Sequence, residues 1–370
     1  MKTALLVLED GKFFPGRAFG RDGETIGEVV FNTALFGFQE TLTDPTSAGR
    51  LVAFTANVVG AAGVNDRDME SASASARGVI VRSLSRVASN FRSRATLDEF
   101  CAEQGVVGIT DVDSRALTVH IRDEGPKMGI IAHGASVDDV DALVARVKAA
   151  KRHESEDFSD FGVQKISTAT LRETQDNFQP YVVEIQEGVP AAGENEVVVI
   201  DLGATNTLLK QVAQAGYQVT LVPASTGAEA ILARKPKSVL VSSGPGNPNL
   251  RGDVVQTVQA LLGKVTVVGV GLGCQIAALA LGGEAPRVAS PNLGANIPVR
   301  RERDQLCGVV AHNHTWSVRF PEAPAGLEVS YSNVTTGAVE GFDLASKSVY
   351  GVQHIPTDAK LTEALSSSIA

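Results

Sequence analysis

Val265-Thr-Val-Val-Gly-Val-Gly271-Leu-Gly-Cys-Gln275-Ile-Ala-Ala-Leu-Ala-Leu281 is the stretch whose reading decides the fold. Val265–Val270 is a continuous apolar run of strand length. Gln275–Leu281 has helical density, and the glycines between them make a tight strand-to-helix turn. The alternation repeats upstream. Strand runs at Val197–Asp201, Gln218–Val222 and Ser238–Ser242 are followed by helical spacing at Asn206–Ala215, Gly227–Arg234 and Val254–Leu262. Strands that are apolar throughout and joined by helical crossovers predict a parallel sheet covered on both faces. Its ligand is expected beyond the C-terminal strand ends.

Towards the N-terminus, short strands punctuated by glycine are predicted at Ala4–Leu8, Val29–Phe31 and Leu51–Thr55; a second part opens at Val79–Arg82, with strands at Val106–Ile109 and Met128–Ala132. Helices are predicted at Ala95–Gln104, capped by the Thr96 hydroxyl, and at Ser114–Asp123 and Val137–Ala150. The pattern weakens after Lys151 in a charged run and in the linker-like Glu187-Gly-Val-Pro-Ala-Ala-Gly193. The expected organisation is an α/β domain over 1–150, a linker over 151–193 and a parallel-sheet α/β domain over 194–370. A chain of 370 residues suits two domains.

With 44% apolar residues the chain can build real cores, which excludes global disorder. Its net charge of -9 and lack of basic runs argue against binding a nucleic-acid backbone. No apolar stretch approaches the ~20 residues of a membrane span. Cys101, Cys274 and Cys307 are odd in number and widely spaced, so neither a disulfide framework nor a CxxC-type metal site follows. The first ten residues lack the apolar core of a signal peptide, and a cytoplasmic location is expected. No P-loop pattern occurs, so no ATP site is expected on this chain.

Three strand-end segments stand out: Ser242-Ser-Gly-Pro-Gly-Asn-Pro248, Gly269-Val-Gly-Leu-Gly-Cys-Gln275 and Val352-Gln-His-Ile-Pro-Thr-Asp358. In this order they resemble class I glutamine amidotransferase domains. Gly27-Glu-Val-Val-Phe-Asn-Thr33, Gly37-Phe-Gln-Glu-Thr-Leu-Thr-Asp-Pro45, Ala88-Ser-Asn-Phe-Arg92 and Asp113-Ser-Arg-Ala-Leu-Thr118 extend the resemblance to the glutamine-hydrolysing small subunit of carbamoyl-phosphate synthase. The resemblance implies a cysteine on the turn that attacks a glutamine amide, with a histidine base backed by a glutamate. It also implies ammonia transfer to a large-subunit partner, on which ATP and magnesium are expected; no cofactor is expected here.

The family's turn reads Gly-Ile-Cys-Leu-Gly-His-Gln, so its nucleophile position falls on Gly271. Its Gln-Gly-His-Pro-Glu places the base at Ile355 and the supporting acid at Thr357. None of the three can do that chemistry. The resemblance places a glutamine pocket at Thr46, Gly244, Gly246, Leu272, Gln275 and Asn313, with Thr315 and Trp316 where the family has Gly-Phe. The implied reading is a small-subunit homologue without glutaminase activity, acting as a structural or regulatory partner.

Two alternatives remain open at this level. In the first, Cys274, His354 and Asp358 form a displaced catalytic set, Cys274 drawing thiolate character from a helix N-terminus. Against it, a one-residue shift in extended chain reverses a side chain's face. Three residues into a helix also move the sulfur roughly 4–5 Å along the axis, at ~1.5 Å per residue. In the second, the chain is a free-standing protein that still binds glutamine or a related amino acid. The Gly269-Val-Gly-Leu-Gly spacing is not that of a dinucleotide fingerprint. His312 and His314 suggest a metal pair, but no third ligand is evident in sequence. They are therefore expected to be loop histidines, with no metal on the chain.

Overall fold

The computed structural model describes residues 2–152, 158, 195–355, 361, 364 and 365. Most of the predicted linker lies outside the described residues, as do Thr357 and Asp358. The chain divides into two units, Met1–Glu156 with Ala289–Gly294, and Asp157–Val288 with Ala295–Ala370. No helix among the described residues is long and apolar enough to cross a membrane.

The first unit is built on a closed barrel. Its strands are β1 (Thr3–Leu8), β2 (Phe13–Gly20), β3 (Glu24–Asn32), β4 (Arg50–Phe54), β5 (Gly78–Ile80), β6 (Val107–Thr110) and β7 (Lys127–His133). They follow the order β1-β2-β6-β5-β4-β3-β7. Strands β3, β4, β5 and β6 pair in parallel, and the remaining pairs are antiparallel.

Period-two alternation explains why Ala4–Leu8 is apolar at every position. Leu6 and Leu8 join Val29, Leu51, Ile80, Ile109 and Ile131 in one cluster. Leu5 and Val7 turn the other way, onto Ile130 and onto Leu143 and Val147 of the helix Val140–Ala149. The helix Leu97–Gln104 starts in a capping box: Thr96 Oγ1 accepts from Glu99 N, and the Glu99 carboxylate accepts from Thr96 N.

The second unit holds a nine-stranded sheet ordered β13-β12-β14-β15-β16-β11-β10-β8-β9. Its strands are β8 (Glu196–Asp201), β9 (Gln218–Pro223), β10 (Ser238–Val241), β11 (Thr266–Val270), β12 (Arg287–Arg301), β13 (Cys307–Trp316), β14 (Glu328–Asn333), β15 (Val339–Leu344) and β16 (Val349–Val352). Strands β9, β8, β10, β11 and β16 are parallel, as the alternation predicts. Beyond β16 the pairs with β15, β14 and β12 are antiparallel, an extension that the sequence pattern does not show.

Both faces of the parallel half are covered. Val197, Val199, Leu221 and Leu240 pack on Leu208, Leu209 and Val212 of the helix Asn206–Gln214. Val198, Ile200, Val239 and Val267 pack on Ile231, Val254, Val258 and Ile276 from three other helices. At ~1.5–3 kcal/mol for each fully buried aliphatic side chain, these two layers are the unit's main source of stability. The C-terminal ends of β10, β11 and β16, three consecutive strands, therefore carry the segments Ser242–Pro248, Gly269–Gln275 and Gln353–Ile355.

Candidate functional site

The turn after β11 is an elbow centred on Gly271. Its φ is +56° and its ψ −115°, a sparsely populated backbone conformation that costs an L side chain roughly 1–3 kcal/mol. The elbow is held by main-chain bonds. Gly271 N donates to Val352 O at 2.9 Å, and Gly273 N donates to Ser242 O at 3.0 Å. Cys274 N and Gln275 N donate back to Gly271 O at 3.0 and 3.2 Å. The helix consequently spans Leu272–Ala280 rather than beginning at Gln275.

Close packing, not chemistry, demands glycine beside the elbow. A Cβ on Gly273 would lie 2.0 Å from Val241 O, and one on Gly244 would lie 1.9 Å from Leu202 O. A Cβ on Gly271 itself would meet Ser243, at 3.2 Å from its Cβ and 3.5 Å from its Cα. The residue at the tip of the elbow is thus a glycine, with no side chain.

Cys274 lies three residues beyond the elbow glycine. Its side chain is fully buried among Ala277, Ala278, Val318, Phe342, Leu344 and Val349. Burial pushes its thiol well above the ordinary cysteine range, and the carboxylates of Glu340 and Asp343 push the same way. The expected help from the helix N-terminus is thus overruled by desolvation. His354 has different surroundings: its ring stacks on His312 at 5.9 Å between centroids and meets Tyr331 edge-on at 5.0 Å. Ile355 is 43% exposed, and its backbone N–H donates to Ala311 O at 3.0 Å.

The pocket positions are placed as follows. Leu272 is buried in the helix-on-sheet core. Gln275 is buried, and its Nε2 donates to Trp316 O at 2.9 Å and to Gln353 Oε1 at 3.2 Å, so both amide hydrogens are committed inside the fold. Gly246 has φ +104° and faces the Phe158 ring, 3.3 Å from where a Cβ would stand. On β13, Asn313 and Thr315 alternate with His312 and His314, so the two pairs point to opposite faces. Thr46 belongs to the first unit; its Oγ1 donates to Asp44 Oδ1 at 2.7 Å, inside a short turn that Asp44 caps.

The loop reading of His312 and His314 is corrected. Both lie on β13, both are buried, and strand periodicity puts them on one face. His312 Nδ1 and His314 Nε2 are 3.1 Å apart. The third member is Glu340 on β15, fully buried, with Oε2 3.4 Å from His314 Nε2 and 3.7 Å from His312 Nδ1. A bridge between Val318 and Val339 sets β15 beside the end of β13. Sequence spacing cannot show this meeting; the available signal was a lone acid in the apolar Val339-Glu-Gly-Phe342.

Burial lowers His312 to about 3 against the attraction of Glu340, with His314 and His354 also disfavouring a charge there. Burial raises the Glu340 carboxyl, but His314, His312 and the Asn333 amide outweigh it and hold the group below its ordinary range.

Comparison with known proteins covers both units. Residues 6–131 match the family described as carbamoyl-phosphate synthase small chain, CPSase domain, and residues 198–358 match glutamine amidotransferase class-I. The carbamoyl phosphate synthase small chain of Mesorhizobium japonicum is 37% identical over 361 residues, covering 96% of this chain and 89% of that one. That of Rhizobium meliloti is 37% identical over 365 residues, covering 96% and 89%. That of Syntrophotalea carbinolica is 34% identical over 357 residues, covering 95% and 92%.

Proposed function

The chain belongs to the carbamoyl-phosphate synthase small-chain family, and from that premise we propose a subunit that docks on a large synthetase subunit without hydrolysing glutamine. One observation carries the reading: the residue presented by the elbow is Gly271. Amide hydrolysis through a covalent intermediate needs a nucleophile, a base and a group that orients the base. The matching positions are Gly271, Ile355 and Thr357: the first has no side chain to attack carbon, the second cannot accept a proton and the third has no carboxylate to back a base. Cys274, the nearest thiol, is held protonated in an apolar cluster.

In this reading the ATP and magnesium chemistry belongs to the large subunit, which draws on free ammonia while this chain acts as a structural or regulatory partner. The test is ammonia release from glutamine by the purified chain, alone and with a candidate large subunit. The expected result is co-elution of the two subunits with no release above the glutamine-only blank. Release that disappears in Cys274→Ala would overturn the reading in favour of a rebuilt catalytic set. Failure to co-elute, with heat on titrating glutamine into the chain alone, would favour a free-standing amino-acid-binding protein.

A further inference from the structure

We propose that His312, His314 and Glu340 form a binding site for a first-row divalent cation of the zinc type, in the interior of the second unit.

The donor atoms are placed for it. His312 Nδ1, His314 Nε2 and Glu340 Oε2 make a triangle with edges of 3.1, 3.4 and 3.7 Å. In a tetrahedral zinc site with bonds of about 2.0–2.1 Å, ligand atoms stand about 3.3 Å apart. The triangle matches one face of such a tetrahedron. Two imidazoles and one carboxylate suit zinc and its neighbours rather than calcium or magnesium.

Surrounding atoms orient two of the three donors, His314 and Glu340. His314 Nδ1 lies 2.8 Å from Trp316 O, an atom that can only accept, so the proton sits on Nδ1 and the Nε2 lone pair faces the triangle. Metal-bound histidines commonly make this bond through their other nitrogen. Glu340 Oε1 accepts from Asn333 Nδ2 at 3.0 Å, which turns Oε2 towards the imidazoles. Oε2 has no hydrogen-bond partner among the described residues, so a buried carboxylate oxygen is left to two ring nitrogens. His312, His314 and Glu340 are 3%, 6% and 0% exposed, so water does little to solvate that charge. A cation satisfies all three donors together.

The experiment uses the full chain, stripped with EDTA and titrated with zinc chloride, with cobalt(II) as a spectroscopic stand-in. One equivalent of zinc should bind, and cobalt should give the intense visible bands of a tetrahedral site. Both should survive in Cys307→Ser, which removes the exposed thiol. His312→Gln and Glu340→Gln should each lower zinc affinity by more than about 100-fold, since even outer-shell changes cost 10–100-fold. Circular dichroism and thermal melting of the stripped variants separate loss of a ligand from loss of the fold. No uptake by the folded parent chain would overturn the proposal. So would unchanged affinity in both folded variants, or cobalt bands that vanish in Cys307→Ser.

Discussion

Gln275 and His314 converge on one acceptor: Gln275 Nε2 and His314 Nδ1 both donate to the carbonyl oxygen of Trp316, at 2.9 and 2.8 Å. Through that oxygen the elbow helix is tied to the buried histidine pair. Gln353 makes a second tie, accepting from Gln275 Nε2 at 3.2 Å and donating its own backbone N–H to Glu340 O at 2.9 Å. Replacing Gln275 with Leu leaves the Gln353 Oε1 contact unmet in a buried setting. We expect a loss of about 1–3 kcal/mol in urea unfolding. The His314 Nδ1 proton resonance should also move, because its acceptor loses a competing donor. An unchanged resonance would mean that the shared carbonyl does not couple the two side chains.

Restoring the missing sulfur tests the elbow directly. Gly271→Cys puts an L side chain at φ +56°, with a Cβ 3.2 Å from Ser243 Cβ. The strain should cost roughly 1–3 kcal/mol of stability. Glutamine hydrolysis should stay at background, because Ile355 offers no base. Only the combination with Ile355→His and Thr357→Glu is expected to raise ammonia release. Substantial release from the single variant would show that another base serves the turn.

The three thiols should separate by accessibility. Cys307 is exposed, whereas Cys101 and Cys274 are buried and burial raises both thiols. A chromogenic disulfide reagent at pH 8 should therefore label Cys307 alone in the native chain, with the other two reacting after denaturation. Fast native labelling of Cys274 would contradict its place in the apolar cluster.

Asp201 supplies a pH test. Its Oδ1 accepts from Gly203 N and Ala204 N, both at 2.9 Å, and its Oδ2 has no partner among the described residues. Burial raises its carboxyl above the ordinary value despite those two backbone bonds. A group raised in the folded state favours folding most below its unfolded value, and that contribution is lost as pH rises through the folded one. Asp201→Asn keeps an oxygen acceptor and removes the titration. The stability of the variant relative to the parent should therefore climb as pH rises from about 4, the ordinary Asp value. A difference that stays flat with pH would show that Asp201 is not destabilised by its burial.

The parallel half of the second unit was legible because β8, β10 and β11 are buried on both faces and read as unbroken apolar runs. The antiparallel extension was not. Glu328-Val-Ser-Tyr-Ser-Asn333 carries mixed side chains with no period, and only its pairing with β12 and β15 makes it a strand. Strand β2 was hidden in the same way, since Pro15 and Gly16 interrupt Phe13–Gly20. The elbow was readable from its glycines, but the helix start was misplaced by three residues because a positive φ lets the chain turn at once into Leu272. Glu340 lies 26 positions from His314 in the chain, and no local spacing predicts that contact.

The turn around Gly271 also separates two kinds of inheritance. Its shape is enforced by neighbours: Val241 O against Gly273 and Leu202 O against Gly244. Those constraints are indifferent to whether residue 271 carries sulfur or nothing. On the proposed function, close packing alone is enough to hold the shape of this turn in a chain that does not hydrolyse glutamine. Likeness in the turn therefore reports how the chain packs, and the side chain at position 271 has to be read separately from it.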